Sequence, residues 1–295
     1  MAKPEVETFD DKTTAVLKRK GYKILQSLSA GAFGQVYKAM STKDNELVAV
    51  KVMNLEKCSE KFKEKFLPRE MAAMIEVQHQ NIIQVYDIFR SNRRIFIFME
   101  FAGNGDIAHY LKKNGVLTEE KAYIWFSQVA DGLNYLHTEV HLAHRDIKID
   151  NILLNDQNVA KLTDFGFAKV SWDQNTNEVT LSETFCGTEP YYSPQIVMKQ
   201  KYDPFMADCW AMGVVLFAML NNKFPFHFGK KYGPKGMIKE QEDPNHLINR
   251  FIKDFSKHLK ELIERLLDPQ EKSRMSMRET LGCKWFKEKG KCTCR

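Results

Sequence analysis

A short stretch between residues 144 and 166 constrains this chain more than any other part of it. It holds Asp146, Asn151 and Asp164 around the apolar run Ile152-Leu153-Leu154, which predicts a buried strand. A hydroxyl that attacks a phosphoryl group needs a carboxylate nearby, and Mg²⁺ prefers oxygen ligands placed against the phosphates. Phosphoryl transfer needs a set of residue types of this kind.

The stretch resembles the catalytic segment of the eukaryotic protein kinases. It reads His-Arg-Asp-Ile-Lys-Ile-Asp-Asn at 144–151, which we call the catalytic loop, and Asp-Phe-Gly from Asp164 onward, and both runs match kinase motifs. The resemblance implies that Asp146 is the catalytic base, that Lys148 offsets charge on the transferred group, and that Asn151 and Asp164 bind Mg²⁺. A lysine two residues after the base is typical of the kinases that act on serine and threonine.

Length, composition and charge argue against several other classes of protein. The 295 residues, 43% of them hydrophobic, suffice for a large core in one or two domains. The net charge of +6 is spread along the chain and gives no argument for nucleic acid. No apolar run reaches the roughly 18 residues of a membrane span, and 205–220, which contains Asp208, predicts a buried core helix. Six scattered cysteines without a signal peptide favour a reducing compartment, so we expect a cytoplasmic protein, with the nucleus as a second location.

The order of the predicted elements indicates an α+β fold with two lobes. Alternating or apolar runs predict strands at 22–25, 35–40, 47–52, 83–89 and 95–101, and charged residues with helical spacing occupy 59–76. After Gly103 long helical patterns dominate. Thr118 is the predicted N-cap of one helix, whose apolar stripe comprises Ala122, Trp125, Val129, Leu133 and Leu136.

These patterns define the expected domain organisation. Residues 1–21 are polar with little periodicity, which predicts a mobile or loosely docked extension. A bilobal kinase-like domain is expected over 22–286, with a small strand-rich N-lobe at 22–102 and a larger helical C-lobe at 103–286. A short basic tail follows at 287–295.

The resemblance implies ATP as co-substrate, with its site beginning in the N-lobe. The loop from Ser29 to Gly34 stands where kinases place a glycine-rich cover over the phosphates, although Ser29 replaces the first of three usual glycines. Lys51 is implied to reach the phosphates and to pair with a helix glutamate, Glu70, with Glu64 and Glu76 as alternatives. The implied nucleotide-binding residues are Leu28, Ser29, Gly31, Phe33, Gly34, Val36, Ala49, Lys51, Glu70, Met99, Glu100 and Ala102.

The segment from Phe167 to Pro194, which by resemblance is the activation segment, is rich in hydroxyl and amide side chains, as a switchable loop should be. The resemblance implies Thr184 as an activating phosphosite, modified by an upstream kinase, with Ser182 as the second choice. Arg145 and Lys169 would bind the phosphate. Thr188 matches the threonine that contacts the catalytic loop. A hydroxyl-rich loop without a regulatory role is the alternative.

Two departures from the kinase pattern concern the end of that segment. Glu189-Pro190 inverts the usual order, and Gln195 stands where the family has a glutamate paired with a late arginine, here Arg274. A glutamine can hydrogen-bond that arginine but cannot neutralise it. Together with Ser29, this motivates the alternative of a pseudokinase scaffold. Asp208, by resemblance, braces the catalytic loop by accepting backbone hydrogen bonds.

Two groups of residue types that bind metals lack the spacing of a metal site. His137, His141 and His144 do not form the His-Glu-x-x-His motif, because the acid follows at the wrong position. Cys292 and Cys294 lack a second pair of ligands. We therefore expect no zinc site, and we expect His144 to support the loop from within the core.

Within the kinases, Lys-Phe-Leu-Pro-Arg-Glu at 65–70 and Thr-Phe-Cys-Gly at 184–187 resemble the testis-specific serine kinases. Asp106 and Asp150 stand where basophilic kinases bind an arginine upstream of the acceptor, which predicts Arg-x-x-Ser/Thr substrates. Two solvated loop acids are the alternative. We expect protein substrates, no nucleic-acid or membrane partner, and a monomer. The basic segment 223–244 departs from the family pattern and has no assigned role.

Overall fold

The structure is a computed structural model that describes residues 9, 11–31, 34–57, 74–91, 93–243, 245–247 and 250–290. Most of the charged helix predicted over 59–76, including Glu64 and Glu70, lies outside the described residues, as do Phe33, Cys292 and Cys294. The chain divides into two compact units, one formed by residues up to 79 and 83–103, the other by 80–82 and 104 onward. One unit is built on a sheet and the other on helices, so the predicted α+β class is confirmed.

A five-stranded antiparallel sheet forms the first unit, with the strand order β1-β2-β3-β5-β4. The strands are β1 (Tyr22–Gly31), β2 (Gly34–Ser41), β3 (Leu47–Asn54), β4 (Val85–Ser91) and β5 (Arg94–Glu100). All five were predicted from alternating or apolar runs. β1 continues well past its alternating run because it pairs with β2 as far as Gly31 opposite Gly34.

One core cluster covers a face of this sheet, and a helix from the polar extension adds to it. The helix, α1 (Asp11–Arg19), places Leu17 among buried residues of β2, β3 and β5, such as Tyr37 and Phe96. Leu17 is only 4% exposed, and Lys20 Nζ lies 3.0 Å from Asp87 Oδ2. Residues 11–20 therefore contact the sheet in this structure, where the sequence predicted a mobile or loosely docked segment. A single anchoring leucine on a polar helix gives no periodic signal.

Removing the Leu17 anchor should measurably weaken the first unit. Leu17→Ala is expected to lower the free energy of unfolding by about 2–3 kcal/mol, because it removes buried methyl groups and leaves a cavity. Leu25→Ala is the control, since Leu25 is 38% exposed, and it should change stability by less than about 1 kcal/mol. Urea unfolding of both variants checks this, and equal midpoints would show that α1 does not stabilise the sheet.

The second unit is mainly helical. Its helices are α2 (Ile107–Asn114), α3 (Glu119–Thr138), α4 (Pro194–Val197), α5 (Pro204–Asn221), α6 (Gly233–Gln241), α7 (Lys257–Leu266), α8 (Met277–Leu281) and α9 (Lys284–Lys287). Thr118 caps α3 as predicted, with Oγ1 accepting from Lys121 N at 3.2 Å. The predicted apolar stripe of α3 is buried throughout.

Helix α5 is the core of this unit. Among the described residues, α5 is the one helix that is long enough and apolar enough to cross a membrane, by length and composition. However, 94% of it is buried inside the fold. A helix that is apolar all round and surrounded by protein is typical of a core element. The prediction of a buried core helix at 205–220 is confirmed.

Three short strand pairs fix the loops of the second unit. β6 (Leu142–Ala143) pairs with β9 (Lys169–Val170), β7 (Ile152–Leu154) with β8 (Ala160–Leu162), and β10 (Trp172–Asp173) with β11 (Glu178–Val179). The first pair sets the residues after β6 against the segment that begins at Phe167. The second brings the residues before β7 beside those after β8.

Candidate active site

Asn151 and Asp164 meet at one end of the β7–β8 hairpin. Because the two strands are antiparallel, the residue before β7 and the residues after β8 are neighbours, and Thr163 N donates to Asn151 O at 3.0 Å. Asp164 has a φ of 63°, in the left-handed region, and its Oδ1 accepts from Gly166 N at 3.1 Å. The hairpin therefore brings the backbones of the two predicted metal ligands, Asn151 and Asp164, close together.

The Asp146 carboxylate lies at the centre of a largely buried hydrogen-bond cluster. Its Oδ1 accepts from Thr188 Oγ1 at 2.8 Å, while its Oδ2 accepts from Lys148 Nζ at 2.8 Å and Asn151 Nδ2 at 3.0 Å. Lys148 Nζ also donates to Thr188 Oγ1 at 3.0 Å. The predicted base, lysine and one metal ligand are thus brought together. The predicted contact of Thr188 with the catalytic loop is confirmed.

Gly187 allows the activation segment to reach the catalytic loop. Its φ is +103°, and a Cβ at this position would lie 2.8 Å from Arg145 O. A side chain here would therefore be strained by the backbone conformation and would also collide with the loop. Without that close approach Thr188 could not contact Asp146.

Asp208 on α5 supports the catalytic loop from the core. It is 1% exposed, its Oδ2 accepts from His144 N at 2.7 Å, and its Oδ1 accepts from Arg145 N at 2.7 Å. This fixes Arg145 at a φ of 64°, in the left-handed region. The predicted brace is confirmed. His137 Nε2, 3.0 Å from Asp208 Oδ2, is a further partner that sequence reasoning missed, since no local pattern joins residues so far apart.

The histidines of this region have structural contacts. His144 is fully buried, its Nε2 lies 2.9 Å from Thr163 O, and its Nδ1 accepts from Asp146 N at 3.2 Å. His141 stacks on Trp172 with ring centroids 4.7 Å apart. Among the described residues no cluster of three or more His, Cys, Asp or Glu side chains could hold a metal ion. His144 supports the loop from within the core, as predicted.

The Arg145 side chain connects the catalytic loop to the activation segment. Its Nε donates to Phe167 O at 2.7 Å and its Nη1 to Ser182 Oγ at 3.4 Å. Ser182 is fully buried, whereas Thr184 is exposed, with its carbonyl bound by Tyr202 Oη at 2.8 Å. Of the two predicted phosphosites, only Thr184 is therefore exposed to solvent in this conformation.

Gln195 and Arg274 form the predicted hydrogen bond. Arg274 is 3% exposed, and its Nη2 donates to Gln195 Oε1 at 3.0 Å. Gln195 Nε2 in turn donates to Pro269 O at 2.8 Å. Burial, the largest influence, lowers the pKa of Arg274 to about 10. The guanidinium stays charged at neutral pH, held by neutral oxygens and by the Trp210 ring 5.1 Å away.

Gln195→Leu should show that this neutral pairing contributes to stability. The change keeps most of the volume but leaves Arg274 Nη2 without its amide partner and removes the donor to Pro269 O. We expect a loss of about 1–3 kcal/mol in the free energy of unfolding. Gln200→Leu, at an exposed position, is the control. Thermal unfolding that places both variants at the natural midpoint would contradict this role of Gln195.

The predicted nucleotide-binding residues of the first unit are aligned across the sheet. Ser29 lies opposite Val36, and Val36 lies opposite Lys51, so the three share one face of β1, β2 and β3. Ala49, two residues before Lys51, is on that face too and pairs with Met99 of β5. Phe33 and Glu70 lie outside the described residues.

The remaining residues of this set lie at the ends of the strands. Leu28 is 42% exposed at an irregularity in β1. Gly31 ends β1, and a Cβ at Gly34 would lie 2.1 Å from Val52 O, so β2 passes too close for any side chain. Glu100 ends β5 and its N–H donates to Gln84 O at 2.9 Å; Ala102 follows in the chain.

The two predicted substrate-binding acids lie on neighbouring elements. Asp106 is the N-cap of α2, with Oδ1 accepting from His109 N at 2.7 Å. Asp150 is exposed in the 3₁₀ helix Ile149–Asn151, which contacts α2. Asp106 therefore has a capping role that the sequence reasoning did not foresee, although the motif Asp-x-x followed by an apolar helix could have indicated it.

Comparison with known proteins assigns the class of this site. The family model described as "Protein kinase domain" matches residues 22–286. Testis-specific serine/threonine-protein kinase 2 of Mus musculus is 34% identical over 273 residues, which cover 92% of this chain and 75% of that protein. Testis-specific serine/threonine-protein kinase 3 of Homo sapiens is 35% identical over 270 residues, 90% of this chain and 96% of that protein. CBL-interacting serine/threonine-protein kinase 7 of Arabidopsis thaliana is 30% identical over 289 residues, 98% of this chain and 65% of that protein.

The chain belongs to the protein kinase family. Within it, the relatives place the chain among the serine/threonine kinases, in the group that includes the testis-specific kinases. The resemblance seen in the sequence is confirmed, and with it the two-lobed kinase class of the fold. Family membership implies ATP as co-substrate and proteins as substrates.

Proposed function

We propose that this chain transfers the γ-phosphoryl group of ATP to serine and threonine hydroxyls of proteins that carry an upstream arginine, with Mg²⁺ as the metal. The observation that carries the proposal is the Asp146 cluster. Its carboxylate is largely buried, oriented by three donors, and shared between the catalytic loop and the activation segment. Such an arrangement holds a base in one orientation before the substrate arrives.

The residues of the second unit would divide the chemistry as follows. Asp146 accepts a hydrogen bond from the acceptor hydroxyl, orients its oxygen, and takes its proton. Lys148, 2.8 Å from Asp146 Oδ2, offsets negative charge that develops on the transferred group. Thr188 orients the side chains of Asp146 and Lys148, since its hydroxyl forms a hydrogen bond with each of them.

The donor set fits Mg²⁺. Asn151 uses its Nδ2 for Asp146 O and Oδ2, at 2.8 and 3.0 Å, which leaves the amide oxygen as the group suited to a cation. Asn151 and Asp164 supply the neutral and anionic oxygens that Mg²⁺ prefers. When bound, the ion would neutralise phosphate charge and orient the phosphates.

The preference for arginine is supported by the position of two acids. Asp106 and Asp150 come from α2 and from the 3₁₀ helix it contacts, and Asp150 is one residue before Asn151. A guanidinium bound between them would sit beside the catalytic loop. The family pattern at these two positions suggests this role.

The test is the transfer of radiolabelled phosphate from ATP to an Arg-x-x-Ser peptide, with Mg²⁺ and with EDTA. We expect incorporation that EDTA abolishes and that falls when alanine replaces the peptide arginine. A peptide panel that favours proline after the acceptor, with no gain from arginine, would refute the substrate preference. No transfer, after treatment with an activating kinase and with ATP binding confirmed, would favour the pseudokinase scaffold suggested by Ser29 and Gln195.

We also propose activation by phosphorylation of Thr184. Treatment with an upstream kinase should raise activity at least about tenfold, since a phosphate adds charge that Arg145 can bind. Thr184→Ala should lose that gain. Ser182→Ala should still be phosphorylated at Thr184 and activated, because the buried Ser182 is not the residue that the upstream kinase modifies. Phosphosite mapping and a rate assay decide this. An equal gain in Thr184→Ala would refute the assignment.

A further inference from the structure

A lysine-rich surface in the second unit is not used by the proposed reaction. Residues 223–239 contain five lysines and no Asp or Glu. All five are exposed, and within the described part of the chain none of them has an ion pair. We call Lys230, Lys231 and Lys235 the basic surface, since these three lie around the start of α6.

The segment that carries the basic surface is held by its inward-facing side chains. Phe226 stacks on Trp210 of α5 with centroids 5.4 Å apart, and His227 stacks on Tyr232 at 4.5 Å. The Glu240 carboxylate is bound by His227. The backbone N–H of His227 donates to Glu240 Oε2 at 2.7 Å, and His227 Nδ1 lies 2.6 Å from Glu240 Oε1. The acid nearest to the five lysines in the sequence therefore binds a histidine of the same segment, and the lysines remain available to a partner.

Lys235 is placed where it disfavours α6, whereas the helix dipole favours Lys239 in the last turn. Lys235 lies in the first turn, which has no acidic residue, so its charge faces the positive end of the helix dipole. Lys235 and Lys239 are four residues apart, and like charges at that spacing destabilise a helix. Met237 and Gln241 form the buried face instead. An arrangement that opposes helix formation is understandable if an anion binds there.

The basic surface is attached to the segment that contacts the catalytic base. Gly229 N donates to Glu189 Oε1 at 3.1 Å, and Glu189 directly follows Thr188, which binds Asp146. Phe224 packs on Tyr191 at 5.4 Å, and Tyr191 Oη accepts from Ile149 N at 3.3 Å. A protein whose hydroxyl is at Asp146 would therefore extend past this surface.

We propose that the basic surface docks protein substrates through a carboxylate-rich segment separate from the residues around the acceptor. The location beside the acceptor site favours a protein substrate, and the charge requires that it be acidic. The inference deepens the proposed kinase function and rests on it for the identity of the partner. It assigns a role to the basic segment that the kinase pattern leaves unexplained.

The experiment compares an Arg-x-x-Ser peptide with the same peptide joined through a Gly/Ser linker, at either end, to a run of glutamates. For the natural protein we expect the acidic peptide to have a KM lower by about tenfold, as a few screened charge pairs can supply. The difference should shrink at high salt. Lys230→Ala/Lys231→Ala/Lys235→Ala should abolish it and leave kcat and the KM of the plain peptide unchanged.

The matched control is Lys272→Ala/Lys284→Ala/Lys287→Ala, which removes the same number of exposed lysines elsewhere on the second unit. It should keep the full KM difference. Equal KM values for both peptides with the natural protein, or equal loss in both triple variants, would overturn the proposal. Thermal unfolding confirms that the variants are folded.

A binding readout separates this inference from the kinase reaction. Fluorescence anisotropy of a labelled glutamate peptide should show binding to the natural protein and to the control variant, but not to the basic-surface variant. If the plain peptide is not phosphorylated, the proposed function fails, while anisotropy still decides the docking. The same assay with phosphatidylserine vesicles and with RNA tests the other partners. If either binds more strongly than the glutamate peptide, and the basic-surface variant loses that binding, the proposal of a protein partner is wrong.

Discussion

Asp146→Asn is expected to lower the rate of phosphoryl transfer by about 10²–10⁴-fold, the range that a general base supplies. The amide cannot accept a proton from the acceptor hydroxyl. The fold should survive, because one amide oxygen can still accept from Lys148 and Asn151, while the NH₂ group faces the Thr188 hydroxyl, which can rotate to accept.

The control for this prediction is Asp156→Asn. Asp156 is exposed in the turn between β7 and β8 and undergoes the same chemical change. Its activity should match the natural protein. Single-turnover rates with saturating ATP and Arg-x-x-Ser peptide make the comparison, and thermal unfolding shows whether either variant is misfolded. A natural rate in a folded Asp146→Asn protein would show that another group is the base.

Asp208→Ala should cause the largest loss of stability among the residues of the site, about 3–5 kcal/mol. The carboxylate is 1% exposed and accepts two backbone N–H groups at 2.7 Å, both in the loop that precedes Asp146. Alanine leaves those donors buried without an acceptor and removes the partner of His137. The loop would lose its fixed conformation, so activity should fall even at temperatures where the chain is folded.

Asp208→Asn should have an intermediate effect. Its amide oxygen can satisfy one N–H, but the NH₂ group would oppose the other donor. In urea unfolding, we expect the natural protein to be the most stable, Asp208→Asn to be less stable and Asp208→Ala to be the least stable. The kinase rates of the folded fraction should follow the same order. Rates that stay natural in folded Asp208→Ala would show that the catalytic loop does not depend on this brace.

The proposed catalytic residues could be placed close together from the sequence because their chemistry fixes their types and their spacing. Asp146, Asn151 and Asp164 flank one short hairpin, so local sequence contains most of their geometry. The brace by Asp208 and the bond between Gln195 and Arg274 were also predicted, since the kinase pattern relates those positions.

Other features depend on which elements pack together and left no local signal. The bond between Arg145 and Ser182 exists because β6 pairs with β9 and brings the activation segment back to the loop. Leu17 is the buried side chain of the described part of α1, and one leucine in a polar segment gives no local signal of docking. The role proposed for the basic surface depends on the bond from Gly229 to Glu189, two residues that no local pattern relates.

The glycine-rich loop has one position where the sheet accepts a side chain and one where it does not. At Gly34 the Val52 carbonyl leaves no room for a methyl group, so any substitution would require the sheet to open. Ser29 is an exposed strand residue opposite Val36, where a side chain is ordinary. The sheet therefore tolerates serine in place of the first family glycine, whereas it has no room for a side chain at position 34.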